Sequence, residues 1–206
     1  ITQKLITHRA RTFDYRAKSI KKLYPQSSIC LINLGGGLCS RFKRLEKEIA
    51  HSIHLDLPEV IELLVQTFPE TASHLVAEDL NQSSWIKKVS TLIGEEEIPV
   101  FTMEGVSMYL KKNALLSLLS SLPTHFSRGY IILDLLHPFF HNKSYLIRDV
   151  ANVQASFYSG IKNTKEITSL CPKLNLVRTS APFAPKGMPE ILPFNLYQFT
   201  TFSWGI

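Results

Sequence analysis

The stretch "INLGGGLCSRFKRL" (residues 32–45) sets three consecutive glycines between an apolar, strand-like run and a helix-like one. An ordered glycine gives up more backbone entropy than any other residue, so Gly35, Gly36 and Gly37 in a row oppose stability. That cost is tolerated where the backbone must turn with positive φ, or where another group must come close to it. A loop of this kind after a strand also presents free N–H groups that hold a carboxylate or a phosphate. A tight turn and a ligand cradle are therefore the two readings, and the flanking sequence separates them.

On either side, apolar runs alternate with amphipathic segments. Residues 28–34, 52–57, 74–80, 100–103 and 130–136 are short, rich in Val, Ile and Leu, and read as buried strands. Val60, Ile61, Leu64 and Phe68 share one helical face. Trp85, Ile86, Val89, Leu92 and Ile93 share another, with Ser83 or Ser84 as its N-cap. Leu115, Leu118, Leu119 and Leu122 repeat the pattern, and Pro123 is expected to close that helix. Residues 1–26 read as a helix ahead of the first strand. Strand–helix alternation at this spacing predicts βαβ units and a parallel, doubly wound α/β sheet. After Pro172, "LNLVRTS" and "LYQFTTFSW" read as two further strands with antiparallel character. Prolines from Pro182 to Pro193 lie between them in a long connection.

In an open parallel sheet, ligands bind beyond the carboxyl ends of the strands, where the glycines sit. The second strand ends "HLDLPEV", which puts Asp56 and then Leu57 at that edge, about twenty residues beyond the glycines. An acid there either accepts hydrogen bonds from two ribose hydroxyls or caps the helix entered at Pro58. Asp79 closes the third strand in "HLVAEDL", where an acid takes a bond from an adenine amino group while the Leu80 N–H meets a ring nitrogen. Glu104 closes the fourth in "PVFTMEG", facing an amino acid end of the ligand or lying beneath the reacting centre. Four successive strand ends carrying Gly, Asp, Asp and Glu outline one adenosine-sized edge.

Length and composition set outer bounds. The chain of 206 residues suits a single domain, residues 1–206, large enough to bury about 70% of its unfolded surface. A net charge of +6 is scattered, without a basic stripe interleaved with aromatics, so it reads as a solvated exterior and not as a nucleic-acid surface. Cys30, Cys39 and Cys171 are odd in number and lack CxxC spacing, which argues for reduced thiols and against a disulfide framework. No apolar run reaches the length of a membrane span and no signal-peptide pattern opens the sequence, so a cytoplasmic protein away from membranes is expected. A metal site is not expected: His51 and His54 are three apart and would face opposite sides of a strand. His137 and His141 have no third ligand nearby in sequence. In "GVSMY" the second glycine of a nucleophile elbow is missing, so Ser107 is not read as a nucleophile.

The ordered set "INLGGGLCSRFKRL", "HLDLPEVIEL", "VAEDLNQSSW" and "EGVSMYL", with "RARTFDY" ahead of the first strand, resembles the leucine carboxyl methyltransferase family. That family is a branch of the class I S-adenosylmethionine (SAM) methyltransferases that also holds polyketide O-methyltransferases. The resemblance implies a Rossmann-like, mostly parallel seven-stranded sheet with an antiparallel C-terminal strand. It makes residues 1–26 a helical lid segment and residues 27–206 the core. It implies SAM as cofactor and methyl transfer to a carboxylate or hydroxyl oxygen of a small molecule or a protein C-terminus. It places Arg11 on the methionine carboxylate and Gly35, Gly36 and Gly37 against the methionine moiety. Asp56 with Leu57 falls at the ribose, Asp79 with Leu80 at the adenine, and Glu104 on the methionine amino group. Tyr109 falls near the acceptor. His137 and His141, in "HPFFH" after the fifth strand, are the candidate bases by location, or else loop histidines with structural bonds. Cys39 stands where the family usually has Asp, and Gly36 where it often has Ala. Two rivals are a nicotinamide-dependent oxidoreductase, which lacks its third glycine here, and a binding member of the family without turnover.

Overall fold

The computed structural model of the chain describes residues 2–49, 51–70, 74–143, 155–180 and 197–206. A long helix, α1 (Thr2–Leu23), leads into β1 (Ile29–Leu34) and the short α2 (Arg41–Leu45). Then come β2 (His51–Asp56), α3 (Pro58–Thr67), β3 (His74–Ala77), α4 (Ser84–Leu92) and β4 (Ile98–Met103). A 3-10 turn (Ser107–Tyr109) precedes α5 (Lys112–His125) and β5 (Gly129–Leu136). A second 3-10 turn (Pro138–Phe140), α6 (Thr164–Leu170), β6 (Asn175–Ser180) and β7 (Tyr197–Trp204) follow. The proline cluster expected between the last two strands lies outside the described residues.

The seven strands form one sheet in the order β3-β2-β1-β4-β5-β7-β6. β1 to β5 are parallel, and β7 runs antiparallel between β5 and β6. This is the doubly wound, mostly parallel sheet that the alternation of runs predicts. Helices cover both faces, which is why β1, β4 and β5 are buried along their whole length. On one face Cys30, Ile32 and Leu34 of β1 pack with Trp85 and Val89 of α4 and Leu115, Leu119 and Leu122 of α5. On the other, Ile29 and Leu31 meet Phe13, Ala17 and Ile20 of α1. Phe13, Ala17 and Ile20 recur at helical spacing, so α1 is built into the core. No helix among the described residues is long and apolar enough to cross a membrane.

Several local expectations are corrected. β3 ends at Ala77 and not at residue 80, because Asp79 Oδ1 accepts from Asn81 N at 2.9 Å and turns the chain. β4 begins at Ile98, with Pro99 near its start, where a missing N–H costs the ladder least. α5 runs through Pro123 to His125. In the last turn the proline forfeits one backbone bond, its fixed φ is already helical, and Phe126 N still reaches Leu122 O at 2.9 Å. Ser83 holds the N-cap position of α4 without a side-chain bond, and the Ser84 hydroxyl instead donates to Glu78 at 2.7 Å.

Candidate functional site

The strand order reverses between β1 and β4, which makes the carboxyl ends of these two strands the place where an open α/β sheet receives a ligand. A cavity of about 120 Å³ lies there. Its walls are Asn33 and Leu34 at the end of β1, Thr102 and Glu104 at the end of β4, and Gly36 and Cys39 from the intervening loop. Arg41 of α2 and Arg9 of α1 complete it.

The glycine loop is shaped by β2 beneath it. Gly35 and Gly37 have φ of 64° and 55°, the left-handed region that side chains other than glycine rarely adopt. Gly36 is there for space: a Cβ on it would lie 2.4 Å from His54 Cε1 and 2.5 Å from His54 Nε2. A Cβ on Gly37 would meet nothing within 4 Å, so its outer side is open to a ligand. Gly35 N donates to Leu55 O at 2.8 Å and Gly37 N to Asp56 Oδ2 at 2.7 Å. His54, fully buried, contacts Gly37 O through Nε2 at 3.0 Å. A carbonyl only accepts, so this bond assigns the proton to Nε2 and leaves Nδ1 bare. Nδ1 is buried with no partner among the described residues. Desolvation by burial lowers the His54 pKa, against opposing pulls from Asp56 and Gly37 O.

Asp56 stands at the sheet edge, with Oδ1 accepting from Leu57 N at 2.8 Å. The N-cap position of α3 is Leu57 itself, so Asp56 braces the glycine loop instead of capping that helix. Leu57 is exposed beside it. Asp79 closes its turn through Asn81, and Leu80 packs partly buried against the α4–α5 side of the core. Gly35–Gly37, Asp56, Asp79 and Glu104 thus share one edge of the sheet.

Of the two arginines in "RARTFDY", Arg9 faces the cavity, while Arg11 is exposed on α1. Arg9 Nε donates to Glu104 Oε1 at 3.0 Å and Nη1 to the Tyr197 hydroxyl at 3.4 Å. Burial works against the Arg9 charge, but Tyr197, Asp134 and Glu104 offset it and hold its pKa above the usual value. Glu104 is also bonded by Arg41 through Oε2. Arg41 is 1% exposed and donates to Asp14 at 2.8 Å and to Asn33 Oδ1 at 3.0 Å. With Thr102 Oγ1 donating to the same Asn33 oxygen at 2.7 Å, the amide orientation is fixed. Asn33 Nδ2 is then a buried donor with no partner among the described residues, in the wall of the cavity. Below, Asp134 is fully buried and accepts from Gly105 N at 2.9 Å and from the Tyr197 hydroxyl. Burial raises its pKa, with Arg9, Tyr197 and Gly105 pulling the other way.

Sequence reading does not reach Arg41, Asn33, Asp134 and Tyr197, and it weighs His54 only as a metal ligand. Arg9 lies within "RARTFDY", two residues before Arg11.

Tyr109 is 38% exposed, with its ring 5.5 Å from that of Phe157. Burial raises its phenol pKa, while Arg9 lowers it. His137 Nδ1 accepts from Phe139 N at 3.1 Å and so caps the 3-10 turn that follows. His141 Nδ1 lies 3.1 Å from Tyr158 O. Both histidines therefore hold loop structure through Nδ1. The Ser107 hydroxyl donates to Asp134 O, which occupies it structurally.

This glycine-looped, acid-edged sheet is the class I methyltransferase fold, and solved structures share it. A magnesium protoporphyrin IX methyltransferase from Synechocystis, with S-adenosylhomocysteine (SAH) bound, superposes with a TM-score of 0.62 at 12% identity, over 98% of this chain and 86% of its own. A SAM-dependent methyltransferase from Anabaena variabilis gives 0.61 at 15% identity, over 85% and 76%. LepI in complex with SAM gives 0.55 at 14% identity, over 87% of this chain, and this chain spans only 43% of LepI's length. No curated protein sequence matches the chain. Residues 2–122 match the leucine carboxyl methyltransferase family, and the chain belongs to that family.

Proposed function

We propose that the chain binds SAM along the carboxyl ends of β1 to β4 and transfers its methyl group to an acceptor oxygen, a carboxylate or hydroxyl of a small molecule or of a protein C-terminus. The observation that carries this reading is the cavity at the strand reversal, walled by a glycine loop and holding an unpaired amide donor, Asn33 Nδ2. Arg9 and Asn33 supply donors for the methionine carboxylate, and Glu104 supplies an acceptor for its amino group. Asp56 accepts from the ribose hydroxyls, and Asp79 with Leu80 N meets the adenine. Bound SAM supplies an activated methyl on a positively charged sulfur. The residues around it orient the acceptor, exclude water and hold the charge pattern, which are the terms that dominate such a displacement. A carboxylate acceptor needs no general base. A hydroxyl acceptor would need one: His137 has its basic nitrogen occupied by Phe139 N, whereas His141, donating from Nδ1 to Tyr158 O, keeps Nε2 as a base.

Calorimetric titration with SAM, SAH and NAD tests the reading. Micromolar binding of the first two and none of NAD is expected, and binding of NAD alone would overturn it. In Asp56→Ala, SAM binding should weaken by more than about 1.5 kcal/mol, the worth of hydrogen bonds to a charged acceptor. An unchanged affinity would remove the ribose from Asp56.

A further inference from the structure

The opposite edge of the sheet carries a second cluster of chemically capable side chains. Cys30 of β1 and His51 of β2 are register partners on adjacent strands, so their side chains rise from the same face. Glu97 sits one residue before β4, the strand on the other side of β1, and a turn with Gly94 holds it there: Gly94 N donates to Glu97 Oε2 at 2.8 Å. One ligand atom from each of Cys30, His51 and Glu97 lies within 4.8 Å of the other two. His51 Nδ1 faces both Glu97 oxygens, at 2.8 and 2.7 Å, while Nε2 is buried with no partner among the described residues. The Cys30 sulfur is fully buried behind them. The His51 and Glu97 side chains are 26% and 14% exposed, which leaves a path from solvent. His54 takes no part, since it points to the other face under the glycine loop.

We propose that Cys30, His51 and Glu97 form a binding site for a zinc-type divalent cation at the amino-terminal edge of the sheet. Sulfur, imidazole nitrogen and carboxylate oxygen are the donor set of a four-coordinate zinc, with water from the His51–Glu97 opening as the fourth ligand. Ligand atoms around a tetrahedral zinc stand about 3.6 Å apart. The His51–Glu97 pair is already closer than that and must part to admit the ion, and the sulfur lies no more than 4.8 Å from either. The ion takes the position of the proton shared by His51 Nδ1 and Glu97, and that proton moves to His51 Nε2, the tautomer that frees Nδ1 as a ligand. Cys30 binds as thiolate and releases its proton to solvent. Because the thiol must lose its proton to bind, affinity rises with pH. The site lies at the far end of six-residue strands from the proposed donor site, ~15 Å or more away. It ties β1, β2 and the start of β4 together, and it stands whether or not the chain binds SAM.

Cobalt(II) titration of the full 206-residue chain under reducing conditions tests this. A thiolate-to-cobalt charge-transfer band should appear at one equivalent and bleach on addition of zinc. Zinc should also raise the thermal midpoint in proportion to its binding. Cys30→Ser should abolish the band, whereas Cys39→Ser and Cys171→Ser should keep it. His51→Gln and Glu97→Gln, at the solvent-facing rim where folding is safer, should weaken cobalt by at least roughly tenfold. No band in the parent chain, or a band that survives in Cys30→Ser or moves with Cys39, overturns the assignment.

Discussion

His54 sits beneath the glycine loop with its one proton committed to Gly37 O and no partner for a second. A second proton would place an unpaired charge inside the protein, and its pKa is accordingly lowered from 6.5. With the native pKa below the unfolded one, the unfolded state binds more protons between the two values. This contribution to stability is full above 6.5 and is lost as pH falls toward the native value. Urea unfolding at about pH 7.5 and about pH 5 should show the loss, and His54→Gln should reduce it. A variant with the parent's full pH dependence would move the cause elsewhere. At the cavity, Arg9→Ala should weaken SAM by about tenfold or more, as loss of a charge-assisted bond does. Arg11→Ala should leave the affinity within about twofold, because Arg11 is exposed. Calorimetry giving the reverse order would restore Arg11 to the donor. "RARTFDY" offers two arginines near residue 10, and helical phase against the sheet decides which of the two turns inward.

At the scale of the element, α1 joins the two ends of the chain. Its Arg16, 4% exposed, donates to Thr201 Oγ1 at 2.9 Å, to Ser180 Oγ at 2.8 Å and to Phe199 O at 2.8 Å. None of these acceptors is a carboxylate. Burial, with Arg178 adding to it, brings its pKa down to about 10, so it still carries its charge at neutral pH. The guanidinium fork spans β6 and β7 at once, a geometry that an ammonium does not reproduce. Arg16→Ala should lower unfolding stability by ~1–3 kcal/mol, and Arg16→Lys should recover less than half of it. A loss under about 0.5 kcal/mol would show that packing of Phe13, Ala17 and Ile20 alone holds the helix. Element positions were legible because helical and strand periods are local properties. Pro123 misled because its effect depends on where in the helix it falls, which periodicity places only to within a turn.

Across the whole molecule the seven strands share one sheet, so a single cooperative unfolding transition is expected. Trp85 on α4 and Trp204 on β7 belong to the same core, each facing Phe101 of β4 at 6.5 and 6.1 Å between ring centroids. Both report on unfolding, so tryptophan fluorescence and far-ultraviolet circular dichroism should trace one coincident urea transition. Two separable transitions would mean that the antiparallel β6–β7 end unfolds by itself. The sequence by itself determined the alternation of strand and helix, the glycine turn, and the acids at successive strand ends, because each follows from side-chain period and local backbone need. Tertiary structure alone decided what those residues meet: Arg9 and Arg41 on Glu104, His54 under Gly36, Asp134 under Tyr197, and Cys30 beside His51 and Glu97. These neighbours lie on different strands and helices. Their meeting depends on strand order and register, which are set by packing of the entire core and not by any stretch of chain read alone.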